Sequence, residues 1–138
     1  MKLIQASDIR QIDGILDFVH DRTFQLDKLS FERDAGILTI PLTVIADQKI
    51  KERRTLFVKS WRCPVVKAVL RVKRALAMEV IDEARIGEGA INTISMEKDR
   101  LAIKCSVPLE IWVSVSALDV ELELSDTVVE EVKRFTLF

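Results

Sequence analysis

Ile9, Ile12, Ile15, Leu16 and Val19 recur at steps of three and four residues, which places them on one stripe of an α-helix spanning about 7–21. Ser7 or Asp8 can accept from the first free amides, and Asp8 followed by Gln11 has the spacing of a capping box. His20 and Arg22 stand at the far end, where a cation suits the negative pole of the helix dipole.

After the helix the apolar period drops to two. Phe24 to Arg33 and Ile37 to Ile45 flank Asp34-Ala35-Gly36, a short hairpin loop in which glycine supplies the turn. Pro41 cannot donate to a ladder, so its strand is expected at an edge or with a bulge. Asp47 to Arg54 reads as a charged connection, and strand pattern resumes over 55–61 until Cys63-Pro64 punctuates it. Val66, Ala68, Leu70, Val72, Leu76, Met78 and Val80 continue the alternation as one long strand, or as two joined by a bulge near Arg74. Asp82 to Ala90, with Gly87 and Gly89, forms a loop, and Lys98-Asp99 joins a hairpin of 91–97 and 100–107.

Leu109, Ile111, Val113 and Val115 form the next strand, followed by Leu118, Val120, Leu122 and Leu124. The apolar parity flips between these two, which requires a bulge or sharp bend near Ala117. Ser125-Asp126 turns the chain or caps a short helix, leaving 125–138 as a C-terminal tail. The pattern predicts one mainly β (β-rich α+β) domain over 1–138. Its expected architecture is about eight mostly antiparallel strands in a sandwich or partly open barrel, with one N-terminal amphipathic helix.

Composition narrows the class. The chain has 138 residues, 49% apolar and 31% charged, enough to fill a core without disulfide or metal staples. The start shows no secretory pattern, and no stretch approaches the length of a membrane span. Cys63 and Cys105 stand apart without metal-ligand spacing, as reduced thiols of a cytoplasmic protein would.

Charge changes the picture more. Between Ala46 and Ala75 ten Lys or Arg face two acids, while the remaining chain has eleven basic and twenty acidic residues. Lys67, Arg71 and Lys73 share one strand face, and Asp119, Glu121 and Glu123 form an equally regular acidic row. Should the two strands be neighbours, the rows neutralise one another. The alternative is an anionic partner. Lys49, Lys51, Arg53 and Arg54 would then serve as an arm, with Arg62, Lys67, Arg71 and Lys73 beside Trp61 as a nucleic-acid face.

Catalytic chemistry is poorly represented. The single histidine excludes a paired-histidine metal site. Asp17, His20 and Asp21 are the only nominees for an enzyme or metal centre, with Cys63 beside Arg62 as a nucleophile. The blander readings are an exposed helix end and a small buried thiol. Gly87-Glu88-Gly89 lacks the lysine and third glycine of a phosphate loop. No cofactor and no metal are therefore expected.

Trp112 lies opposite the aliphatic face of its strand, to be covered by the helix or exposed as a contact. Phe135, Leu137 and Phe138 would fray unless docked, on their own core or in a second copy. The chain thus reads as a non-catalytic interaction or scaffold domain that self-associates, a homodimer with no membrane partner. The alternative is a nucleic-acid-binding module using the basic 49–74 segment.

Overall fold

The computed structural model describes residues 1–46 and 51–137, with 65% of the chain in strands and 11% helical. That ratio makes the fold β-rich, with antiparallel sheets, one of them curled into a half-barrel, and one short helix near the N-terminus. The first sheet contains β1 (Lys2–Ala6), β3 (Ser30–Glu32), β4 (Ile37–Ile45), β5 (Lys51–Arg54), β6 (Val58–Val72) and β11 (Val120–Leu137). Their order is β1-β11-β6-β4-β3, with β5 also paired to β6. The second contains β2 (Thr23–Gln25), β7 (Ala75–Asp82), β8 (Glu88–Glu97), β9 (Arg100–Cys105) and β10 (Leu109–Val115), in the order β2-β8-β9-β10-β7. The strands beyond the eight expected are mainly pieces of three to five residues, too short to show a period.

The helix forms where the stripe predicts but is shorter. A 3-10 turn, Ile9–Gln11, leads into α1 (Ile12–Val19). Asp8 Oδ1 accepts from Arg10 N at 2.7 Å, and Gln11 Oε1 reaches back to Ser7 N at 2.7 Å, a capping box displaced by one residue. Ile12, Ile15 and Val19 are buried in one cluster with Leu38, Ile40, Leu70 and Leu122 of the first sheet and Ile91, Leu101, Ile103 and Ile111 of the second. Burial of each such side chain stabilises the fold by roughly 1.5–3 kcal/mol before the entropy of ordering it.

Three expectations change. The stretch 65–81 is neither one strand nor a bulged one: β6 ends at Val72, Arg74 adopts φ +54°, and β7 begins in the other sheet. Ala75 N donates to Gly36 O at 2.9 Å, seating this corner on the first hairpin loop. Cys63-Pro64 does not punctuate a strand either, because β6 runs through it. The missing amide of Pro64 falls beside a register shift in β11, and its carbonyl accepts from Ala46 N at 2.8 Å. Most consequentially, the expected tail, 125–138, is strand over its described residues. β11 continues to Leu137, absorbing extra residues between Leu124 and Glu130 as bulges, and pairs with β6 down to Leu137↔Val58.

Other expectations match. Pro41 lies where β4 has outrun β3, which pairs only with Ile37–Thr39, so its missing donor faces an open edge. Arg22 Nε closes the same edge by donating to Thr43 O at 2.8 Å. The parity flip near Ala117 is a bend by which the chain leaves β10 in one sheet for β11 in the other. Lys49 and the rest of 47–50 lie outside the described residues, as does Phe138; Lys51–Arg54 form β5 rather than a loop.

Candidate functional site

The basic segment divides into two parts with opposite fates. On the outer face of the first sheet, β11 lies beside β6 with Glu121 opposite Arg71 and Glu123 opposite Val69. Arg71 Nη1 stands 3.5 Å from Glu121 and its Nη2 donates to Glu123 at 3.4 Å, while Lys73 Nζ is 3.2 Å from the other Glu121 oxygen. Arg74 pairs with Asp119 at 3.5 Å. The result is a chain of alternating charge across two neighbouring strands. Glu121 retains only 10% side-chain exposure within it. Of Arg62, Lys67, Arg71 and Lys73, only Lys67 stands exposed without an ion pair among the described residues.

The second part is an extension of the same sheet. Beyond Val65, where β4 ends its pairing, β5, β6 and β11 are the strands that remain among the described residues, in that order across the sheet. Lys51 stands opposite Arg62, which stands opposite Lys133; Arg53 and Phe135 flank Ser60, and Leu137 stands opposite Val58. Arg54 lies opposite Lys59, and Trp61 lies opposite Arg134. The β5–β6 turn is closed by Thr55 N donating to Val58 O at 2.8 Å, and it leaves Leu56 and Phe57 82% and 66% exposed. Ser60 is buried and donates to Arg53 O at 3.3 Å. Arg62 pairs with Glu131 at 3.5 Å, whereas neither Arg53 nor Lys133 has an ion pair among the described residues.

Lys133 and Arg134 were missed by sequence reasoning. They are about 70 positions away from their ladder partners, and the turn signal at Ser125-Asp126 hid the continuing strand. The signal that could have found them is the β-branched run Thr127-Val128-Val129 followed by Val132 and Thr136.

At the base of this extension the structure brings together most of the nominated catalytic groups. A groove of about 430 Å³ is lined by Asp17, Phe18, His20 and Arg22 from the helix side, and by Trp61, Cys63 and Arg134 from the strands. A neighbouring groove of about 450 Å³ shares Phe18 and Ala46 with it. Within the first, His20 Nδ1 lies 3.4 Å from Asp21 Oδ2 at the exposed helix end. No hydrogen bond joins Cys63 to His20 among the described residues, and Arg22 is committed to Thr43. No group of three or more His, Cys, Asp or Glu among the described residues could hold a metal ion. What the groove gathers around the Cys63 thiol is a set of charged and aromatic side chains, Asp17, His20, Arg134, Phe18 and Trp61.

The remaining candidates settle elsewhere. Trp112 is half-buried on the outer face of the second sheet, neither under the helix nor bare. Arg100 lies 4.5 Å and Lys104 5.3 Å from its ring centre, and its Nε1 donates to Glu110 at 3.0 Å. Gly89 belongs to β8, opposite Phe24. A Cβ there would stand 2.8 Å from Cys105 Sγ, so close packing explains this glycine without a phosphate. Burial pushes the Cys105 thiol up to about 11, making it a poor nucleophile. Comparison with protein-family models, with curated proteins and with solved structures found no match to this chain.

Proposed function

We propose that this chain is a non-catalytic interaction domain that works as a self-associated unit, with the three-stranded extension as its contact element. One observation carries the reading. Where β11 outruns β1, its outer edge has no partner strand among the described residues, and exposed Val128 and Val129 stand beside that edge. A long uncovered edge is a template for another strand. The two free thiols agree with a reducing, cytoplasmic setting. Sedimentation equilibrium across 1–200 µM tests the proposal: a monomer–dimer equilibrium is expected, and a single monomeric species throughout overturns it.

A second reading has its own observation. Arg53 and Lys133 are exposed without ion pairs among the described residues, beside Arg62 and around the Ser60 hydroxyl. Such a cluster suits a nucleic-acid backbone better than the neutralised face of Arg71 and Lys73 does. Fluorescence anisotropy with a 20-nucleotide single strand at 20 and 200 mM salt separates the two readings. Tight binding that collapses with salt favours the second; no binding at 20 mM removes it.

A further inference from the structure

From the charge order along β11 we infer that two copies join through this edge in one antiparallel register, centred on Val132; the inference rests on the self-association reading and gives it residues. In an isologous antiparallel pair each position meets its mirror across the two-fold axis. With Val132 opposite itself, Glu131 of one copy meets Lys133 of the other, and Glu130 meets Arg134. Outward from the centre, Val129 stands opposite Phe135 and Val128 opposite Thr136. Thr127 to Leu137 is therefore self-complementary under reversal. Opposite charges fall on opposite charges and apolar positions on apolar or β-branched ones.

The neighbouring registers lack this property. Centring on Glu131 or Lys133 sets a like charge against itself at the axis. A second long open edge, β7, carries Glu79 and Asp82 as its only charges, so self-pairing there brings no opposite charges together. Of the other open stretches among the described residues, β4 past β3 (40–45) carries no charge, β8 past β2 (91–97) carries only Glu97, and β1, β2, β3 and β5 are five residues or fewer.

A second observation comes from within one protomer. Lys133 stands directly opposite Arg62, a like-charge cross-strand pair that is ordinarily unfavourable. Pairing through β11 places Glu131 of the other copy at the far side of Lys133, so the row of cations Lys51, Arg62 and Lys133 ends on an acid. Arg134, opposite Trp61, gains Glu130 of the other copy in the same way. The extension becomes a continuous six-stranded ribbon, and the exposed valines at its base are covered.

Reciprocal charge reversal tests the register. Glu130→Arg with Glu131→Lys gives a uniformly basic strand, and Lys133→Glu with Arg134→Glu a uniformly acidic one. Each variant alone converts four favourable cross-strand contacts to like-charge ones and is expected to dimerise at least about 30-fold more weakly than the native chain. An equimolar mixture of the two restores all four contacts in swapped order and is expected to form a heterodimer with near-native affinity. Sedimentation velocity reads the assembly, and far-UV circular dichroism confirms that each variant folds. A native dimer unaffected by either reversal overturns the β11 register while leaving self-association standing. A monomeric native chain overturns both. Variants that weaken singly but fail to recombine overturn the pairing of 130 with 134 and 131 with 133.

Discussion

Glu121 is the group on which neutralisation of the sheet face depends, and replacing it with glutamine isolates that role. Its two oxygens meet Arg71 at 3.5 Å and Lys73 at 3.2 Å. At an effective dielectric near 20, each attraction is roughly 5 kcal/mol before desolvation is counted. Desolvation cancels most of this, since the Glu121 side chain is 10% exposed, against 28% for Arg71 and 33% for Lys73. The site lies between exposed pairs, worth about 0–1 kcal/mol, and buried pairs, whose disruption costs about 3–5 kcal/mol. Glu121→Gln keeps the shape, and Arg71 keeps Glu123. The expected loss is about 1–3 kcal/mol, a fall in Tm of roughly 3–10 °C for a chain of this size.

Glu97→Gln is the matched control. Its pair with Lys104, at 3.6 Å, has side chains 50% and 41% exposed, so the change should cost under about 0.5 kcal/mol. Urea denaturation of both variants in 0.05 and 0.5 M NaCl is the assay. Added salt should erase the Glu97 effect and leave most of the Glu121 effect, because a buried pair is screened less. Combining Glu121→Gln with Arg71→Gln should show coupling of about 1 kcal/mol or more. Equal costs for Glu121→Gln and Glu97→Gln would mean that burial adds nothing to the Glu121 pairs, and would return Arg71 and Lys73 to the pool of cations open to a partner.

Further outcomes follow from the same structure. Gly89→Ala places a methyl 2.8 Å from Cys105 Sγ and 3.1 Å from its Cβ, and should cost about 1–3 kcal/mol by urea denaturation; adding Cys105→Ala removes the nearer contact and should recover only part. Cys105, with its thiol near 11 in the folded chain, should resist iodoacetamide at pH 8 until urea is added, as read by mass spectrometry of its peptide. The folded chain keeps this proton while the unfolded chain releases it near the ordinary value of 9.0, so stability should fall as pH rises from about 9 to about 11. Cys105→Ala should flatten that part of the pH profile. With the native thiols replaced by alanine, Val132→Cys should oxidise to a covalent dimer on non-reducing electrophoresis and Val129→Cys should not, because only position 132 meets itself across the axis.

The sheet core was legible wherever alternation continued unbroken on a strand flanked by others. Leu38, Ile40 and Leu42, and again Ile111 and Val113, show the period and are buried as it requires. The facing rows of 67–73 and 119–123 were legible for the same reason, since both strands preserve their period through the paired region. The candidate site was less legible. Nothing near Arg74 in the sequence distinguishes a bulge within one sheet from a corner between two, because both interrupt the apolar face once. The grouping of Asp17, His20, Cys63 and Trp61 around one groove depends on where a helix end meets a strand pair, which local pattern does not encode.

β11 shows why the last part of the chain misled. Ser125 and Asp126 carry turn chemistry, and they do turn: Ser125 Oγ accepts from Thr127 N at 3.1 Å, while Asp126 holds the N-terminal ammonium at 2.7 Å just before β1 begins. The turn is spent inside a strand as a bulge, so the chain resumes pairing with β6 while losing β1, whose first residue Lys2 stands opposite Leu124, as its other neighbour. Before the bulge, β11 has a strand on each side, and its charges are all acidic to suit the cations of β6. After it, one side is open, and the charges become two acids followed by two bases about a valine. A strand needing only its internal neighbour would be expected to remain acidic opposite Arg62. The change to Lys133 and Arg134 at the point where an edge opens is what a strand needs if its second neighbour is itself.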